Sequence, residues 1–214
     1  MISFDRREAL RYMGYHGAEP DAAVAESLER CAAELQAAVQ PKSISARFAL
    51  SFTGENTMQI GDLTVTSANL ARNLRGCTEV YLMAATLGIG ADRLIARASA
   101  VRMSDAVILQ AVAAAMIETC CDEVNDALRH MAEREGLYCR PRFSPGYGDF
   151  SIEHQRDFSR LLDTPRKIGL TVTESCLLAP IKSVTAVIGL SPEKQDCHRK
   201  GCEECGKTDC NFRR

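Results

Sequence analysis

The sequence has 214 residues, 46% hydrophobic and 25% charged, a globular composition that excludes a disordered, collagen-like or fibrous chain. Lysine and arginine number 26 against 28 aspartates and glutamates, a formal net charge of −2, which argues against nucleic-acid phosphates or an anionic membrane as partners. No uninterrupted run approaches the roughly 18 apolar residues of a membrane span, and the amino terminus has no apolar leader, so a cytoplasmic location is expected.

Residues 5–14 read as a short helix ending near Gly14. Pro20-Asp21 opens a stronger one, with Val24, Leu28, Cys31, Leu35 and Val39 on one stripe and Pro41 closing it. From Ser43 the period becomes two. Ile44, Ala46, Phe48, Leu50 and Phe52 alternate with mostly polar neighbours, the pattern of a half-buried strand. Thr57–Ile60 and Leu63–Thr66 flank Gly61-Asp62 as a tight hairpin. A helix over 67–74, an apolar strand over 79–87 and a helix over 91–98 follow. Ser104 is the expected cap of the longest segment, 105–135, with Val107, Ile108, Ala111, Val112, Ala115, Met116, Val124, Leu128 and Met131 on its buried face and Gly136 at its end. Beyond a turn-rich patch at 141–148, a helix is expected around 153–162, and strands over 170–174 and 183–188. Strands and helices come in groups rather than in strict alternation. The expected class is therefore α+β, an antiparallel or mixed sheet packed by helices that include one long one. Residues 1–190 form the domain and 191–214 a cysteine-rich tail.

Four features carry candidate chemistry. Gly88-Ile-Gly90 follows an apolar run, but Arg93 stands where a dinucleotide fingerprint needs its third glycine, and no acidic residue follows a second strand at the expected spacing. A strand-to-helix turn explains the two glycines. His16, His130, His154 and His198 form no His-x3-His pair, and no nucleophile elbow is present. His130 suits a helix carboxyl end and His154 a solvent-facing first helical turn. The segment Arg142-Phe-Ser-Pro-Gly-Tyr147 combines a planar cation for a carboxylate, a sharp Pro145-Gly146 turn and an aromatic face. It suits a ligand bearing a carboxylate and a ring, and equally a plain turn.

The fourth feature is Cys197-x4-Cys202-x2-Cys205-x4-Cys210. Four thiols in a segment almost without apolar residues are not explained by core packing, and one shared metal centre would supply such a tail with its fold. Tetrahedral zinc is the simplest fit. An iron–sulfur cluster is the rival, because the first three cysteines share the C-x4-C-x2-C spacing of plant-type ferredoxins. A tail of free thiols is the third possibility.

The carboxyl half resembles the reactivation domain of cobalamin-dependent methionine synthase. The family pattern is Arg-Pro-Ala-Pro-Gly-Tyr, a histidine soon after, then Leu-Thr-Glu-Ser, a proline and Ala-Ser-Val. Here Arg142-Phe-Ser-Pro-Gly-Tyr147, His154, Val172-Thr-Glu-Ser175, Pro180 and Lys182-Ser-Val184 occur in that order. The likeness covers residues 105–190 and is to the short, free-standing relatives. It implies S-adenosylmethionine as ligand, held through Arg142, Ser144, Pro145, Gly146, Tyr147, Glu174 and Ser175, with Arg142 on the methionine carboxylate. It also implies a cobalamin-binding methyltransferase subunit as partner, and a flavodoxin- or ferredoxin-type electron donor. In that family the domain restores oxidised cob(II)alamin by one-electron reduction and methyl transfer from S-adenosylmethionine. The sequence departs from the family after the tyrosine, where Pro-Ala-Cys-Pro is replaced by Gly148-Asp-Phe-Ser151. It also lacks an alignable amino-terminal region that would supply an aspartate to the ligand amine. The expected function is thus an accessory component of a methionine synthase-type methyltransferase rather than a complete enzyme. The alternative is a non-enzymatic module that binds a corrinoid protein.

Overall fold

Two strands carry apolar side chains on both faces, and they form the middle of the sheet. In the computed structural model, which describes residues 2–15 and 19–194, β4 (Glu79–Thr86) pairs antiparallel with β8 (Ser183–Ser191), Glu79 opposite Leu190 and Thr86 opposite Ser183. Alternate residues of β4 enter different cores: Tyr81, Met83 and Ala85 one, Val80, Leu82 and Ala84 the other. A strand buried on both faces reads as a continuous apolar run, which is the pattern of 79–87. Outward from this pair lie β1 (Lys42–Phe52), β2 (Thr57–Ile60) and β3 (Leu63–Thr66) on one side and β5 (Tyr138–Cys139) on the other. The strand order is β3-β2-β1-β4-β8-β5, and every neighbouring pair is antiparallel.

Helices cover both faces. On one lie α1 (Arg6–Tyr12), α2 (Ala22–Ala38), α4 (Ile89–Val101) and the 31-residue α5 (Met103–Glu133). On the other lie α3 (Ala68–Asn73), α6 (Gln155–Leu162) and α7 (Thr164–Ile168). The stripe expected on α2 is buried at Leu28, Cys31 and Leu35, and Asp21 caps the helix by accepting from the Val24 amide at 2.8 Å. Among the described residues α5 is long and apolar enough to cross a membrane. Its apolar side is instead taken up in the first core.

Several local expectations change. Ser104 is the second residue of α5 rather than its cap, because only Arg102 separates α4 from α5. Val107 and Met131, expected in the core, are more than half exposed. The strand over 170–174 shrinks to β6 (Thr171–Val172), which pairs with β7 (Leu178–Ala179) as a small hairpin apart from the main sheet. α7 and β5 are too short to leave a period in the sequence. At the α4 entrance Gly88 takes φ +80°, so flexibility is needed there, whereas Gly90 is needed for space. The tail cysteines, Cys197, Cys202, Cys205 and Cys210, lie outside the described residues.

Leu82 is fully buried at the centre of the sheet. Leu82→Ala should lower stability by about 2–5 kcal/mol in a denaturant titration with an unchanged m-value.

Candidate functional site

The 142–147 loop hangs from β8, the strand next to the sheet's short edge strand β5. The Phe143 and Val187 amides each donate to the other's carbonyl at 2.9 Å, a single bridge to β8. The next four residues then close a turn in which the Tyr147 amide donates to the Ser144 carbonyl at 3.1 Å. Gly146, at φ +90°, occupies the position where a type II turn demands a left-handed residue, with Pro145 before it. The Gly146 amide donates to the Phe150 carbonyl at 2.7 Å. Both amides at the turn are therefore committed within the loop. Tyr147 remains 62% exposed, its ring edge-on to Phe143 at a centroid distance of 5.7 Å.

Arg142 lies against α5. Its Nη2 donates to Glu118 Oε2 at 3.3 Å and lies 2.9 Å from Asp122 Oδ1. The two acids are four residues apart and so share one helix face. Nη1 is buried and has no hydrogen-bond partner among the described residues. One cation and two carboxylates give the cluster a net charge of −1, with one donor still unused. Beside it the Cys121 thiol is pushed up to about 12, chiefly by burial.

The remaining residues implied by the resemblance sit elsewhere. Glu174 and Ser175 are on the turn between β6 and β7, where Arg156 of α6 donates to the Glu174 carbonyl at 2.6 Å and the Ser175 hydroxyl bonds that of Thr173 at 3.0 Å. No hydrogen bond joins either residue to the loop among the described residues. Lys182, in the Lys-Ser-Val segment, donates to the Gln110 carbonyl of α5 at 3.2 Å, and burial lowers its pKa. His154 is not solvent-facing: Nδ1 lies 2.9 Å from Asp157 Oδ2, and the ring lies against Phe150 at 5.2 Å.

Three participants were not visible in the sequence. Glu118 and Asp122 are ordinary i, i+4 acids until the fold sets Arg142 beside them. Asp149 accepts from Ser67 and from the first amides of α3, more than eighty residues away. The loop is a surface feature, with Gly146, Tyr147 and Gly148 all exposed. A groove of about 230 Å³ lies instead between α2, α4 and α5, bordered by Arg30, Arg97, Arg102 and Asp105. No group of three or more metal-ligating side chains is found among the described residues.

No protein-family model matches the sequence, and no curated protein matches it. Among solved structures, the crystal structure of the MetH reactivation domain bound to AdoHcy is similar, with a TM-score of 0.64 and 16% sequence identity. The match covers 88% of this chain and 76% of that one. The two share a fold, including the amino-terminal half, for which the motifs had offered no alignment.

Proposed function

We propose that the chain is an accessory component of a cobalamin-dependent methyltransferase, binding S-adenosylmethionine at the 142–147 loop and serving to restore oxidised corrinoid on a partner protein. The observation that carries this reading is the charge set at the loop. S-adenosylmethionine has a sulfonium, an ammonium and a carboxylate, a net charge of +1 that complements the −1 of Arg142, Glu118 and Asp122. The Arg142 guanidinium would be a donor for the carboxylate once its side chain turns to bring the unused, buried Nη1 outward, and Glu118 and Asp122 are acceptors for the ammonium. The two acids would take the part of the amine-binding aspartate that the amino-terminal sequence does not supply. Tyr147 offers an exposed ring to the adenine or ribose. The reactivation-domain fold supports the same reading.

When bound, S-adenosylmethionine would supply a methyl group to the reduced corrinoid of the partner and leave as S-adenosylhomocysteine. The electron would come from a flavodoxin- or ferredoxin-type donor. This chain's own contribution is to orient the amino-acid end of the ligand through three charges and to present the loop at the surface, where a partner can reach it. The test is methyl transfer from labelled S-adenosylmethionine to an isolated corrinoid protein under one-electron reduction. Label should reach the corrinoid only when the chain is present, and transfer that does not depend on the chain contradicts the reading.

A second reading is a non-enzymatic module that binds a corrinoid protein without S-adenosylmethionine. It is favoured by the engagement of Arg142 with two carboxylates already in place. Capture of the corrinoid protein that is indifferent to S-adenosylmethionine would support it.

The tail is proposed to bind one metal centre, zinc or an iron–sulfur cluster, through Cys197, Cys202, Cys205 and Cys210. Zinc on four thiolates would leave a −2 site, which Lys194, Arg199, Lys200 and Lys207 are near enough in sequence to offset. The other six cysteines are buried, and burial raises the thiol pKa of Cys31, Cys77, Cys120 and Cys121. A thiol reagent should therefore find almost no reactive group in the native metal-bound chain, four after metal removal and all ten after denaturation. Four reactive thiols in chain purified anaerobically and untreated would exclude a tail metal. Colourless protein with one zinc, or brown protein with iron and sulfide, identifies the centre.

A further inference from the structure

We propose that Asp149 is a positioning residue, a carboxylate that clamps the far end of the 142–147 loop to the start of α3 and so sets where the loop meets its ligand. Its identification of the ligand rests on the proposed function; the clamp itself does not. The loop is fixed at its entry by the Phe143–Val187 bridge, and Asp149 fixes its exit. Oδ1 accepts from the Ser67 hydroxyl at 2.5 Å and from the Asn69 amide at 3.1 Å, while Oδ2 accepts from the Ala68 amide at 2.7 Å. Three donors on one carboxylate define a position and an orientation, which a single contact would not. The chain just before it passes so close to the Asn69 side chain that a Cβ on Gly148, at φ +58°, would lie 2.6 Å from its Nδ2. Just after it Phe150 is almost fully buried, with Phe143, His154 and Phe158 rings around it. A polar clamp is thus followed at once by an apolar plug.

α3 does not need this carboxylate for its own cap. Ser67 Oγ already accepts from the Leu70 amide at 3.0 Å, the ordinary N-cap contact, and its own O–H donates to Asp149. Asp149 is itself exposed, so it contributes no core burial. What its three bonds add is a link between α3 and a loop some eighty residues away. The carboxyl is held down to about 2, first by the Ser67 hydroxyl and then by the backbone amides. Its folded pKa lies below the ordinary value of about 3.9, so the clamp is fully formed above roughly pH 4 and is lost as pH falls through about 2.

The test compares wild type, Asp149→Ala and Asp149→Asn by amide hydrogen exchange and by calorimetric titration with S-adenosylmethionine. In Asp149→Ala, exchange across residues 144–150 should rise about tenfold or more while β4 and β8 stay as protected as in wild type. S-adenosylmethionine binding should weaken by about tenfold, and Asp149→Asn, which keeps one acceptor oxygen but sets an NH2 donor against a donor, should recover only part of both effects. Unchanged loop exchange in Asp149→Ala overturns the clamp. Faster exchange with unchanged affinity overturns its positioning role. Faster exchange in a chain whose wild type binds no S-adenosylmethionine leaves the clamp standing and refutes the ligand instead. Should Asp149→Ala fail to fold, Ser67→Ala, which removes one donor together with the α3 cap, must raise loop exchange about threefold, and no change there overturns the proposal.

Discussion

Gly90→Val is expected to destabilise the chain by about 3 kcal/mol or more, lowering the melting temperature by roughly 6–12 °C. Helix propensity alone gives the opposite sign for the milder Gly90→Ala, since alanine in a helix interior is about 1 kcal/mol better than glycine. Sterics decide the matter. A Cβ on Gly90 would lie 1.9 Å from the Ala38 carbonyl oxygen and 2.9 Å from its carbon, and both are backbone atoms that cannot rotate aside. The contact sits where α2 ends and α4 begins, and the Gln40 amide donates to the Leu87 carbonyl at 2.9 Å in the same junction. Relief would require α4 to lift from α2, opening the core that Leu35, Ala91 and Leu94 share. Thermal unfolding of the alanine and valine variants should therefore show progressive loss. A stabilised Gly90→Ala would mean that the two helices separate without cost.

Arg142→Ala is expected to weaken S-adenosylmethionine binding by about 1.5–3 kcal/mol, the usual worth of a hydrogen bond to a charged group, or roughly 10- to 150-fold in Kd. Its effect on folding should be much smaller. The side chain is 22% exposed and its acidic partners Glu118 and Asp122 are 37% and 65% exposed, so solvent can take over both carboxylates. Loss of affinity at nearly constant stability separates a ligand contact from a structural strut. Arg142→Lys should not restore binding fully, because an ammonium cannot reach two carboxylates and a ligand carboxylate with fixed fork geometry. Equal losses of stability and affinity would identify Arg142 as a strut.

The central strands were the most legible part of the fold, because burial on both faces leaves an unbroken apolar run at 79–87. The α2 stripe and the Gly61-Asp62 hairpin were legible for the same reason: their periods are local. What escaped was set by tertiary contact. Ser104 has the chemistry of a cap, but the single-residue connection at Arg102 starts α5 earlier. Val107 and Met131 fit the apolar stripe of α5 yet stay more than half exposed among the described residues. At the site, the 142–147 turn was readable from Pro145-Gly146, whereas the ion pairs of Arg142 reach back 24 and 20 residues and carry no local signal. Asp149 was invisible for the same reason. Glu174 and Ser175 matched a motif, but their turn is tied to α6 rather than to the loop.

The most direct measurement is a calorimetric titration of the full chain with S-adenosylmethionine beside Arg142→Ala and the double variant Glu118→Gln/Asp122→Asn. The account predicts saturable binding at one site per chain, weakened by about tenfold or more in each variant, because each removes part of a charge set matched to a ligand of net charge +1. No heat with wild type, or equal affinity in all three proteins, would contradict it.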